Sequence, residues 1–74
     1  MKMRDLRSLR YVAEGDQVNC LYPKHGSMNV LQRVMGEVVS VGTGPSGKYI
    51  TVQSDNGVFR SLSESKIVKL RKQV

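Results

Sequence analysis

The chain has one cysteine, one histidine and no tryptophan. With Cys20 alone no intramolecular disulfide can form, so the stapled secreted scaffolds are excluded. Cys20 and His25 cannot by themselves make a four-ligand zinc site. No run of about 18 apolar residues exists, so no membrane-spanning helix and no membrane partner are expected. The basic start MKMRDLRSLR is followed by no apolar stretch, which speaks against a secretory signal and for a cytoplasmic protein. Acidic residues are scarce: 6 Asp and Glu stand against 12 Lys and Arg, a net charge of +6.

Length sets a further bound. The 74 residues make one small domain, 1–74. A chain of this size buries only about 60% of the surface its unfolded form exposes, so its core is thin and a deep pocket is not expected. The positive charge sits at the two ends. The basic N-terminal segment 1–10 carries +3, residues 11–47 carry −1, and residues 48–74, which include the basic tail 69–74, carry +4. That asymmetry points to an anionic partner; net charge also keeps small soluble domains apart.

Residues 42–49, GTGPSGKY, come within one residue of a phosphate-binding loop, G-x-x-x-x-G-K followed by Ser or Thr. Such a loop wraps phosphates with backbone amides at the start of a helix. Here KYITVQSDNG follows, alternating and β-branched, and Tyr49 replaces the hydroxyl that would hold magnesium. The chain is also too short for the parallel sheet that the reaction needs. The same residues suit a hairpin: Pro45 fixes φ, Ser46 and Gly47 complete the turn, and Val38–Val41 pairs with Lys48–Val52.

Strand signals dominate from residue 36 onward. GEVVSVG is β-branched. In KYITVQS, Tyr49, Thr51 and Gln53 share one face and Ile50 and Val52 the other. Asn56-Gly57 is a hairpin signal, because both residues tolerate positive φ. VFRSL resumes the strand, SESK suits one 3₁₀ turn, and IVKL reads as a last short strand before a fraying tail RKQV. Upstream, Glu14-Gly15-Asp16 reads as a turn and Gln17–Tyr22 as a strand ended by Pro23. The apolar residues 28, 30, 31, 34 and 35 fit a short helical stripe better than strict alternation. At the start, Met3, Leu6 and Leu9 suit a helical turn, or Leu9–Val12 an edge strand. The expected architecture is mainly all-β: a small five-stranded antiparallel barrel with one possible short helical turn.

From Gly15 to Leu70 the sequence resembles the SH3-like small-barrel superfamily, with its KOW and Tudor-type modules. The segments carrying the resemblance are EGDQV, GEVVSVG, GKYITVQSDNG, VFRSLS and SESKIVKL. The resemblance implies a fold, and a binding role toward RNA, DNA, ribosomal or polymerase components, or peptides. The stretch YPKHGSMNVLQRVM is longer than the usual loop between the first two strands. With Tyr11, Tyr22, Tyr49 and Phe59 as the only aromatics, an aromatic methyl-lysine cage is missing.

No catalytic constellation stands out. Cys20 and His25 lack a third group to orient the base. Cys20 reads as a small buried strand residue and His25 as an exposed loop residue. Glu14 and Asp16 read as turn formers. The expectation is therefore not an enzyme, and one without metal or cofactor. The expected activity is nucleic-acid binding, mainly through phosphate contacts. One candidate patch is Lys48, Tyr49, Gln53 and Arg60, which could equally just cover barrel surface with apolar stems. The other is a stripe of Lys66, Lys69, Arg71 and Lys72 with Arg4, Arg7 and Arg10, provided the termini meet. The alternative is a protein–protein interaction module, a small accessory or phage protein docking on a larger complex through exposed apolar residues of SMNVLQRVM.

Overall fold

The computed structural model describes residues 2–24 and 29–74. Strands β1 (Met3–Leu6), β2 (Gln17–Pro23), β3 (Leu31–Gly44), β4 (Gly47–Gln53), β5 (Phe59–Ser63) and β6 (Lys69–Gln73) form one antiparallel sheet in the order β1-β6-β2-β3-β4-β5. Single 3₁₀ turns occupy Leu9–Tyr11 and Glu64–Lys66, the second where SESK was expected to make one. Among the described residues there is no α-helix. The protein is mainly β, with six strands where five were expected. The sheet is open, and β1 and β5 are its edges.

Alternation decides what is buried. Val18 and Cys20 of β2, Val34 and Val38 of β3, Ile50 and Val52 of β4, Leu62 of β5 and Leu70 of β6 all point to the core face, where Leu9 and Val12 join them. The registers Cys20↔Val34, Cys20↔Leu70, Val38↔Val52 and Ile50↔Leu62 set these side chains opposite one another. The sheet curls round them. Side chains bridge the gap that no strand ladder closes: the Ser63 amide donates to the Tyr22 hydroxyl (3.1 Å) and Arg60 Nη1 to Gln32 Oε1 (3.2 Å).

The curl turns on β3. Its first half pairs with β2 and its second half with β4. At the bend Gly36 adopts φ +155°, and a Cβ there would collide with the Gln53 carbonyl. Val39 is the extra residue of a bulge between Val38 and Ser40, which adds twist.

Three expectations are corrected. Leu31–Gly44 is one 14-residue strand, so no helical turn spans 31–35; residues 25–28 lie outside the described residues. The apolar stripe misleads because both faces of this strand are apolar: Val34 points inward, while Leu31 and Met35 lie outside and exposed. The tail does not fray. Residues 69–73 form β6, held between β1 and β2, with Leu70 buried beneath. At the N-terminus neither the helical turn from Met3 nor the strand from Leu9 forms. Met3–Leu6 is a strand, and Leu9–Tyr11 is a 3₁₀ turn capped by the Ser8 hydroxyl.

Candidate functional site

Residues 42–49 are a hairpin. Gly44 faces Gly47, and Pro45 and Ser46 are the two central residues between them. Gly47 takes φ +104°, which only glycine adopts cheaply. Gly42 has a different reason. Tyr49 stands directly across from it, and a Cβ on Gly42 would lie within 2.6 Å of the tyrosine ring. The ring covers the bare backbone of the opposite strand, a known way to stabilise strand glycines. No helix follows Lys48, so no phosphate cradle forms here. At the next turn Asp55 and Asn56 are central, the Gly57 amide donates to the Ser54 carbonyl, and Gly57 alone takes positive φ (+86°). The expected positive φ at Asn56 is absent.

The registers divide the first expected patch. Val52 faces Arg60 and Gln53 faces Phe59. Arg60 therefore shares the core-side face with Val52, whereas Tyr49 and Gln53 lie on the outer face. Lys48, one residue before Tyr49, also points away from it. The four do not form one surface, and Phe59 occupies the place imagined for Arg60.

The termini do meet. The ladder β1–β6 sets Arg4 opposite Lys72 and Asp5 opposite Arg71. Two basic regions result, one on each side of this ladder. On the outer face Lys69 and Arg71 stand beside Asn19, Leu21 and Arg33. Arg71 Nε is tied to Asp5 at 2.8 Å and Arg33 Nη1 donates to Asn19 Oδ1 at 3.0 Å. Lys66 is exposed at the end of its 3₁₀ turn and lines neither region.

On the opposite side Arg4, Arg7, Arg10, Tyr11 and Lys72 line a groove of about 640 Å³, and Asp5 also lies on its wall. The β1 strand places Arg4, the following bend Arg7, and the 3₁₀ turn Arg10 and Tyr11. Leu9 and Val12, buried on either side, pin that turn to the core. Glu64 pins it from outside: its Oε2 accepts from the Leu9 amide (2.7 Å) and the Ser8 hydroxyl (3.1 Å). The Leu9 amide, aided by Ser8 and the Lys48 charge, holds the Glu64 carboxyl below its ordinary value against an opposing desolvation. Lys72 Nζ reaches Asp16 at 3.0 Å and the Tyr11 carbonyl at 3.1 Å. Asp16 is itself held below its ordinary value, mainly by the Ala13 amide. Among the described residues, the ion pairs engage Arg71 and Lys72, and none engages Arg4, Arg7 or Arg10.

Cys20 is fully buried, and desolvation pushes its thiol up to about 11. It is a core residue, as its place in the strand implied. His25 lies outside the described residues.

Tyr11 and Arg33 were not singled out from the sequence. Tyr11 carried a signal, since it directly follows the third of three arginines spaced by three. Arg33 carried none, because its outer-face position depends on residues 31–35 being a strand. Comparison with known proteins finds no family model, no curated protein and no solved structure that matches this chain.

Proposed function

We propose that this protein is a small, non-enzymatic nucleic-acid-binding domain that holds its ligand mainly by phosphate contacts, built as a partly open SH3-like barrel. The observation that carries the reading is a groove in which three arginines have no ion-pair partner among the described residues, while Asp5 on its wall is paired with Arg71. Arginine presents a rigid fork of donors to phosphate oxygens and stays charged at any working pH. Three such groups on one groove raise the local potential toward a polyanion. In support of the barrel, β2 to β5 run as a meander, a 3₁₀ turn follows β5, and β6 returns to the free side of β2. β1 is an addition at the edge of that plan, and it carries Arg4.

Binding of this kind releases counterions. Its affinity falls steeply as salt rises, with a slope of about 0.7 to 0.9 per phosphate neutralised. Titration of labelled oligonucleotides at two salt concentrations tests the reading. Measurable binding that weakens with salt supports it; no binding even at low salt ends it.

A second reading, docking on a protein partner, draws on the exposed Val30, Leu31 and Met35 of the segment expected to provide such a patch. A stoichiometric protein partner retained after nuclease treatment and lost in Met35→Glu would favour it.

A further inference from the structure

The arginine groove also contains an aromatic ring whose setting names the form of nucleic acid it suits. We infer that the groove takes single-stranded nucleic acid, with one base stacked against Tyr11; this rests on the phosphate-binding reading above.

Tyr11 combines a hydrogen-bonded backbone with a largely exposed ring. Its amide donates to the Ser8 carbonyl (3.4 Å), and the Val12 amide donates to the Leu9 carbonyl (3.0 Å). Its own carbonyl accepts from Lys72 Nζ, which Asp16 holds in turn. Leu9, which opens the turn, and Val12, which follows it, are buried at 1% and 6% exposure, yet Tyr11 is 57% exposed. A large ring left in water on a hydrogen-bonded backbone offers a stacking surface with less ordering to lose on binding. The Arg10 guanidinium lies over the ring, 5.4 Å from its centroid, so it occupies one face; guanidinium and ring both stack on bases.

Arg4 and Arg7 line the same groove and suit the backbone phosphates on either side of the stacked base. Lys72 is a positioning residue here, because its ammonium is engaged by Asp16 and the Tyr11 carbonyl. In a duplex the base faces are stacked inside, and a protein ring reaches them only after the helix opens. A single strand offers them freely. The outer basic face gives a contrast: Lys69, Arg71 and Arg33 surround Leu21 and Asn19, and no aromatic lines that hollow.

The test is fluorescence anisotropy with a labelled single strand of about 12 nucleotides and with its duplex, a length within the usual site sizes. Wild type, Tyr11→Ala and Tyr11→Phe are compared at low and moderate salt, with thermal melting to confirm folding. Because the ring is exposed, both variants are expected to melt like wild type. The expected result is tighter binding of the single strand than of the duplex. Tyr11→Ala weakens single-strand binding about 5- to 100-fold with its salt slope unchanged, and Tyr11→Phe keeps near-wild-type affinity. If Tyr11→Ala binds like wild type, or the duplex binds as tightly as the single strand, the single-strand inference is overturned while phosphate binding stands. If neither oligonucleotide binds at low salt, both fall.

Discussion

The cations of β1 and its following turn differ from Arg71 and Lys72 of β6 in the company they keep. Arg71 and Lys72 each hold a carboxylate, Asp5 and Asp16. Arg4, Arg7 and Arg10 hold none among the described residues. In the linear sequence the two groups look alike, as basic termini. Folding gives the C-terminal pair the task of fastening β6 and the Asp16 turn, and leaves the N-terminal three facing the groove. Charge counting cannot make this distinction; the strand register can, because it decides which carboxylate lies opposite which cation.

Removing the free group should cost binding and leave stability alone. A triple Arg4→Ala, Arg7→Ala, Arg10→Ala variant is expected to lose affinity for oligonucleotides on the order of a hundredfold at low salt. Its melting temperature should stay close to wild type, since no ion pair is broken. Equal loss of affinity from the Arg71→Ala variant would erase the contrast.

Removing the engaged group should do the opposite. Lys72→Met takes one donor from the half-buried Asp16 carboxylate, which keeps the Ala13 amide, and removes the side-chain donor to the exposed Tyr11 carbonyl. Denaturant unfolding should show a loss of about 1–2 kcal/mol. Binding should weaken less than in the triple variant, through a loosened Tyr11 rather than a lost phosphate contact.

Glu64 sharpens the comparison, because it fastens the segment that carries the free arginines. Glu64→Gln removes a charged acceptor from the Leu9 amide and should cost about 1 kcal/mol. The pH dependence follows from the lowered folded values of Glu64 and Asp16. A depressed carboxyl contributes stability above its ordinary value, 4.5 for Glu64 and 3.8 for Asp16, and that contribution is lost as pH falls through the folded value. Melting temperature should therefore decline below about pH 4.5, and decline less in Glu64→Gln. Arg71→Ala is expected to show the smallest effect, below about 0.5 kcal/mol, because the Arg71–Asp5 pair is exposed to solvent and screened.

Much of the strand plan was legible, for a physical reason. In β4 the alternation is clean, so the inward Ile50 and Val52 and outward Tyr49 could be read directly. The turns at Gly15, Gly47 and Gly57 announced themselves through residues that tolerate positive φ. What could not be read is what depends on partners. Leu31 and Met35 imitate a helical stripe because β3 is apolar on both faces along its first half, where it pairs with β2. RKQV looked like a loose end because nothing in four residues reveals a strand on each side. The candidate site divided along the same line. The meeting of the termini was foreseeable, whereas the separation of Arg60 from Tyr49 required the register of β4 with β5. Tyr11 stayed unassigned because its exposure is set by Leu9 and Val12 turning inward around it.

The central claim is that Arg4, Arg7 and Arg10 neutralise phosphates. The most direct measurement is the slope of log affinity against log salt for a single-stranded oligonucleotide, in wild type and in the triple alanine variant. The predicted result is a slope smaller by about 2 in the variant, roughly 0.7 for each arginine removed. An unchanged slope, or wild type that does not bind at low salt, would contradict the account.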